Sequence, residues 1–333
     1  MQRFVGRDSR EIQRQTWHQH KHKNKLKFQP PLSGEIQADD LVQAVIGRMA
    51  DCKDARFKQV MASLVKHLHA FAKDIELAPQ EWMTAIQFLT ATGQKCDEKR
   101  QEFILLSDTL GLSMQVVAIA QAKGAGKGIT QTGTGTSMMA PTEARVQGPF
   151  YWEGAPELPL GSDLGAGMPG DLTYYHGRVT DTAGKPIAGC AMDVWSSDSE
   201  GFYDQQKGDE APMQLRARFH TDANGYYHYW AIKPALYPVP VDGPVGAMLT
   251  RMGRHPFRPG HMHKMLSAPV FEKLTTHIFV SDSKYLDSDA VFGVRHSLIV
   301  DFKAQSPGKA PDGRVMERAY CTAHCDFRLA PSA

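Results

Sequence analysis

From Ala38 to Ala122 apolar residues recur at three- and four-residue steps, the period of an α-helix. The longest run is Phe57, Val60, Met61, Leu64, Val65, Leu68 and Phe71; it marks one face of a long amphipathic helix and predicts that this face is buried. Pro79 opens a further helix carrying Trp82, Ile86 and Leu89, since the fixed φ of proline suits a first turn. Asp97 is placed to cap the next helix, with Phe103 and Leu106 inward and Gly111 as its stop. The periodicity then breaks at Gly124–Pro141 (GAGKGITQTGTGTSMMAP), a Gly- and Thr-rich stretch that reads as a linker. It is not a phosphate-binding loop, because no strand pattern precedes it and the GK[ST] ending is missing.

From Gly148 the period changes to two. GRVTDTAGKPIAGCAMDVWSSD alternates apolar and polar residues around an AGKP turn, which predicts a β-hairpin. HTDANGYYHYWAI repeats the pattern around Asn-Gly and predicts a second one. HIFVSDSKYLD and HSLIVDFKA add further strands. Many short strands separated by turns imply a β-sandwich, so the fold class is mainly β with an α-helical N-terminal part. The expected division is a basic, His-rich arm over 1–35, a helical domain over 36–123, the linker over 124–141 and the sandwich over 142–333.

Composition adds little to this and excludes some classes. The chain has 333 residues and a formal net charge of +2, which gives no case for nucleic acid as a partner. No apolar run reaches the length of a membrane span and no signal-peptide core opens the chain, so a cytoplasmic protein is expected. Five scattered cysteines fit reduced thiols; Cys321 and Cys325 lack the second pair a zinc knuckle needs.

The chemistry concentrates between Trp195 and His277. His261 and His263 are two apart, which puts both imidazoles on one face of a strand. Alone, an HxH pair is more often surface decoration than a metal site. Here it follows Arg258, Pro259 and Gly260, with Tyr203 and Tyr237 upstream in turn-rich contexts. Tyrosine binds metal as phenolate, and its phenol titrates near pH 10. Two tyrosinates therefore suit a hard trivalent ion and offset two of its charges.

The segments DVWSSDSEGFYD, TDANGYYHYWAIKPALYPVPVDGP and GRHPFRPGHMH closely resemble the intradiol ring-cleavage dioxygenases, the family of the catechol and hydroxyquinol 1,2-dioxygenases. The resemblance runs from about Ile36 to about Phe302. It implies one Fe(III) per chain held by Tyr203, Tyr237, His261 and His263, with Arg258 as the active-site arginine. It implies that an aromatic 1,2-diol chelates the iron, displacing Tyr237, and that O2 then opens the ring between the two hydroxylated carbons. Arg258 would stabilise developing negative charge. Val146, Gly148, Pro149, Phe150, Val239, Pro240 and Val291 would line the substrate pocket. The helical part would form a homodimer contact with a groove for lipid tails; a plain packing lid is the bland alternative.

One departure bears on the substrate. Where catechol-cleaving relatives carry glutamine near the iron, this chain has His277, in KLTTHIFV. With VQGPFYWEGAPELPLGSDL and Val291, this places hydroxyquinol (benzene-1,2,4-triol) first and catechol or a substituted catechol second. Met114 and Val117, expected in the roof of the pocket, are more apolar than a triol suggests. The rival of another class is a transthyretin-like β-sandwich carrier, which would not need two tyrosines in register with an HxH pair.

Overall fold

A computed structural model describes residues 40–98, 100–128, 139–208 and 212–332, the side chains of 124–128 excepted. The N-terminal arm and most of the Gly/Thr-rich linker lie outside these residues. The described residues fall into two compact units, divided between Trp82 and Met83.

In the first unit α1 (Leu41–Gly47) precedes α2 (Ala55–Asp74), which begins where Asp54 accepts the Phe57 amide at 2.9 Å. The apolar face of α2 is where the sequence put it, but within one chain it is not buried: Phe57 is 55% exposed and Leu68 57%. Periodicity identifies a face, not what covers it. Next comes α3 (Pro79–Gln94), opened by Pro79.

The second unit contains α4 (Glu102–Thr109) and α5 (Leu112–Gly128) together with the sandwich. Asp97 accepts the Arg100 amide at 2.6 Å, capping the turn before α4 and not α4 itself. Gly111, at φ +77°, stops α4 as expected. By contrast α5 runs through Gly128, five residues into the stretch expected to be linker. A helical glycine costs only about 1 kcal/mol relative to alanine. Gln121 also anchors α5, bonding the Thr142 carbonyl at 3.0 Å and the Ala144 amide at 3.2 Å.

Two five-stranded sheets make the sandwich. One has the order β3 (Arg216–His220), β2 (Ala191–Ser196), β7 (His261–Ser267), β8 (Leu274–Val280) and β9 (Ile299–Val300). In the other, β10 (Phe302–Gln305) pairs β13 (Tyr320–His324), which pairs β1 (Leu172–Asp181); β14 (Phe327–Leu329) continues along β1, and β4 (Tyr226–Ile232) runs antiparallel to it. Two short ribbons, β5 (Tyr237–Pro238) with β6 (Phe257–Arg258) and β11 (Gly308–Lys309) with β12 (Val315–Met316), and the helix α6 (Pro244–Arg251) add to the unit. The core between the sheets includes Tyr175, Val179, Tyr229 and Phe327 facing Met192, Phe219, Leu266 and Ile278.

Of the first expected hairpin only a stub forms, Pro186 bridging Thr180 antiparallel, and the second does not form. β1 and β2 lie in different sheets, and so do β3 and β4. The AGKP and Asn-Gly turns are real, with Gly184 and Gly225 at φ +83° and +70°, but each carries the chain across from one layer to the other. Alternation marks which face of a strand is buried; it does not say which strand is the partner. Gly225 shows why the second corner needs glycine, since a Cβ there would stand 3.0 Å from the Ile187 amide nitrogen.

Strand β7 is buried on both faces from His261 to Leu266. His261, His263 and Met265 share one face, while Met262, Lys264 and Leu266 share the other. Lys264 is enclosed by Tyr175, Tyr227, Tyr229 and Phe327, with its ammonium 4.6–5.8 Å from their ring centres and hydrogen-bonded to the Tyr229 hydroxyl. Among the described residues no single helix is long and apolar enough to cross a membrane.

Candidate active site

Separate elements deliver the expected donors to one buried spot. His261 and His263 come from β7, and His277 of β8 sits directly across from His263 in the ladder. Tyr237 starts β5 and pairs with Arg258 of β6, so the ribbon sets phenol and guanidinium side by side. Tyr203 follows the Gly201 turn; Gly201 is at φ +88°, and a Cβ there would lie 2.8 Å from the Tyr237 Cβ. Only glycine lets the two tyrosine segments close this tightly. The Tyr203 amide donates to Gln206 Oε1 at 2.8 Å, and the next residue, Asp204, forms a buried ion pair with Arg216 that fixes the loop.

The polar atoms converge. His263 Nε2 is 3.1 Å from the Tyr203 hydroxyl. Arg258 Nη1 is 3.3 Å from the Tyr237 hydroxyl and 3.1 Å from His261 Nε2. His261 Nδ1 donates to the Pro259 carbonyl at 2.8 Å, which leaves its Nε2 as the lone-pair nitrogen facing the cluster. His277 Nε2 donates to the Val146 carbonyl at 2.9 Å, and its Nδ1 has no hydrogen-bond partner. One ligand nitrogen from each of the three histidines fits within 4.8 Å. Trp195 stacks on His263 at 4.7 Å, and Phe150 stacks on Tyr203 at 4.4 Å.

Electrostatics favour a cation here. Burial drives the Tyr203 phenol well above its ordinary pKa, with the neighbouring Tyr237 adding to the rise, so Tyr203 ionises only against added positive charge. Burial holds His261, His263 and His277 well below the usual imidazole range, Arg258 contributing at each, so all three are neutral and able to donate lone pairs. Burial also opposes the charge on Arg258, but Asp289, 3.1 Å from Nε, and the two tyrosines hold its pKa above the ordinary value. Two phenols and two imidazoles around one point are a hard donor set that fits a trivalent ion.

Of the expected pocket residues, Gly148 and Phe150 lie against the donors and Val146 holds His277. Gly148, at φ +74°, lets its backbone approach the His263 ring, 3.2 Å from where a Cβ would stand. Pro149, Phe150 and Pro240 line a cavity of about 190 Å³ with Leu105 and Arg100. Val239 and Val291 pack with Leu105 and Val245. Met114 is buried, and Val117 lines a different cavity together with Arg145.

Sequence reasoning missed Trp195, Asp289 and Asp108. Nothing local separates Asp289 from its neighbour Asp287. Asp108 left a signal, a carboxylate inside the apolar run of α4 (FILLSDTLG). It is 4% exposed, and its Oδ1 has no hydrogen-bond partner. Burial raises its pKa; the Ser113 hydroxyl and the charge of Arg258 oppose that rise, which places Asp108 within the electrostatic reach of the site.

Comparison with known proteins agrees with this geometry. A family model described as Dioxygenase matches residues 146–330, and one described as Catechol dioxygenase N terminus matches 54–128. The chain belongs to the intradiol ring-cleavage dioxygenases, a family of oxidoreductases. It is 45% identical over 298 residues to a hydroxyquinol 1,2-dioxygenase of Corynebacterium glutamicum, covering 89% of this chain and 94% of that one. It is 47% identical to a 6-chlorohydroxyquinol 1,2-dioxygenase of Cupriavidus pinatubonensis, covering 82% and 94%. A solved hydroxyquinol 1,2-dioxygenase from Pseudomonas putida superposes with a TM-score of 0.78 at 41% identity, covering 89% and 99%.

Proposed function

We propose that the protein cleaves hydroxyquinol between its two ortho hydroxylated carbons with O2, giving 3-hydroxy-cis,cis-muconate and thence maleylacetate. The observation that carries the substrate choice is Asp108, a buried carboxylate with an unpartnered oxygen within the field of Arg258. A third ring hydroxyl satisfies that acceptor, whereas catechol leaves it bare in a dry pocket.

One Fe(III) per chain would be held by Tyr203, Tyr237, His261 and His263. When bound, it supplies the electronic coupling that lets a chelated ortho-diol react with O2. The chain's own groups do the rest. The Tyr237 oxygen is placed to take a proton from the diol. Arg258, fixed by Asp289, keeps a positive charge beside the Tyr237 oxygen and the reacting ring. His277, anchored on the Val146 carbonyl, keeps its neutral ring beside His263 and offers its free Nδ1 to the substrate oxygens. Val146, Gly148, Pro149, Phe150, Val239, Pro240 and Val291 form the wall that orients the ring.

The exposed apolar face of α2 is covered by a second copy of the chain, making a homodimer. The test of substrate is the ratio of kcat/KM for hydroxyquinol and catechol, with product analysis. Catechol cleaved as efficiently as hydroxyquinol would refute the assignment.

A further inference from the structure

The segment 143–150 walls the active site on one side and a second cavity on the other. That cavity, of about 550 Å³, lies between α5 and the edge of the sandwich. Arg145 lines it and is only 5% exposed. Its backbone amide donates to the Thr275 carbonyl at 2.7 Å, and Nη1 donates to the Ala144 carbonyl. Among the described residues Nε and Nη2 have no hydrogen-bond partner. The nearest carboxylate, Glu143, is 3.6 Å from Nη2, is as far from Arg295, and is engaged by the Ser297 hydroxyl. Buried guanidinium donors are rarely left without acceptors, because desolvating them costs more than a neutral group's burial.

The charge of the lining is also one-sided. Lys123, Lys273 and Arg328 join Arg145, and Glu272 is the one acidic residue among them. Val117, Ala120 and Leu274 supply an apolar wall. Burial, with Arg295 adding, pushes the Arg145 pKa down to about 10, so its charge persists at neutral pH.

We propose that this cavity binds a small organic carboxylate, the anionic group received by Arg145 and the apolar body by Val117, Ala120 and Leu274. The fork of a guanidinium matches a carboxylate in two-point geometry, and the apolar wall favours a carbon skeleton over a bare inorganic anion. Ring-opened dicarboxylates and intact aromatic acids share this chemistry. Occupancy would reach the active site through one residue. Val146, next to Arg145, holds His277 in place, and Gly148 lies against His263.

The test uses iron-loaded enzyme with the diol site filled by excess catechol under anaerobic conditions. Calorimetric titration with cis,cis-muconate, benzoate and inorganic phosphate should give one carboxylate site per chain, with phosphate at least tenfold weaker. Tighter muconate than benzoate identifies a ring-opened acid as the natural class, and the reverse identifies an aromatic acid. Arg145→Gln should weaken binding at least tenfold. Should that variant fold poorly, Lys273→Gln should weaken it about threefold and Ala120→Trp should block it, both with full iron and colour. No binding with the diol site filled, equal affinity for phosphate, or binding untouched by Ala120→Trp would overturn the proposal.

Discussion

Replacing Asp108 with alanine isolates the group that we assign to the third hydroxyl. The carboxylate is buried in α4, and one of its oxygens has no hydrogen-bond partner among the described residues. A hydrogen bond from a substrate hydroxyl to a charged acceptor is worth about 1.5–3 kcal/mol. At about 1.4 kcal/mol per decade, its loss lowers kcat/KM for hydroxyquinol by roughly 10- to 150-fold. Catechol makes no such bond, and removing a bare buried carboxylate leaves its kcat/KM unchanged or raises it. The ratio of the two specificity constants should therefore fall by one to two orders of magnitude. Asp108→Asn keeps a neutral acceptor and should lie between. Oxygen uptake with each substrate gives both constants, and the iron-to-tyrosinate colour checks that the site is intact. If Asp108→Ala depresses both substrates by the same factor, the residue supports the helix only, and the argument for the triol fails.

Other consequences follow from geometry already given. His261→Ala and His263→Ala should each lose iron and visible colour together, measured by metal analysis and absorbance; full retention of iron by both would refute the ligand set. Lys264 has its pKa lowered from 10.5 to about 7, burial being the main cause. The unfolded chain therefore holds a proton that the native chain releases, and stability should rise between pH 7 and pH 9 by about 2 kcal/mol relative to a Lys264→Met variant lacking this slope. Parallel urea melts of the two proteins at both pH values measure it, and parallel pH dependences would refute it. Gly201→Ala should displace Tyr237 and cost several-fold in kcat as well as stability, because the new methyl meets the Tyr237 Cβ at 2.8 Å in a left-handed backbone. Leu64→Lys with Leu68→Lys should give a monomer by light scattering while leaving the iron colour intact.

The donor residues were legible because their identities and order carry the chemistry. Two tyrosines, an HxH pair and the arginine before it keep their roles whatever the strand partners are. Topology was not legible. The AGKP and Asn-Gly turns look the same whether they return a strand to its neighbour or cross to the other layer; tertiary packing decides. The apolar face of α2 was readable, but the chain alone leaves it uncovered. Asp289 escaped notice because a carboxylate's burial depends on elements far away in sequence and it has no spacing to announce it, whereas Asp108 left its signal in the apolar run of α4.

The two-sided burial of β7 constrains how such an enzyme can change its diet. His261, His263 and Met265 face the donors, Met262, Lys264 and Leu266 face the sandwich interior, and each of the six is buried. A substitution anywhere along this stretch therefore disturbs either the metal or the core. Adaptation to a new ring substituent has to come from residues that reach the pocket from elsewhere, namely α4, the 146–150 segment and the turn around Val291. These can vary while the strand stays fixed, so chemistry and taste are held by separate stretches of the chain and can be altered independently.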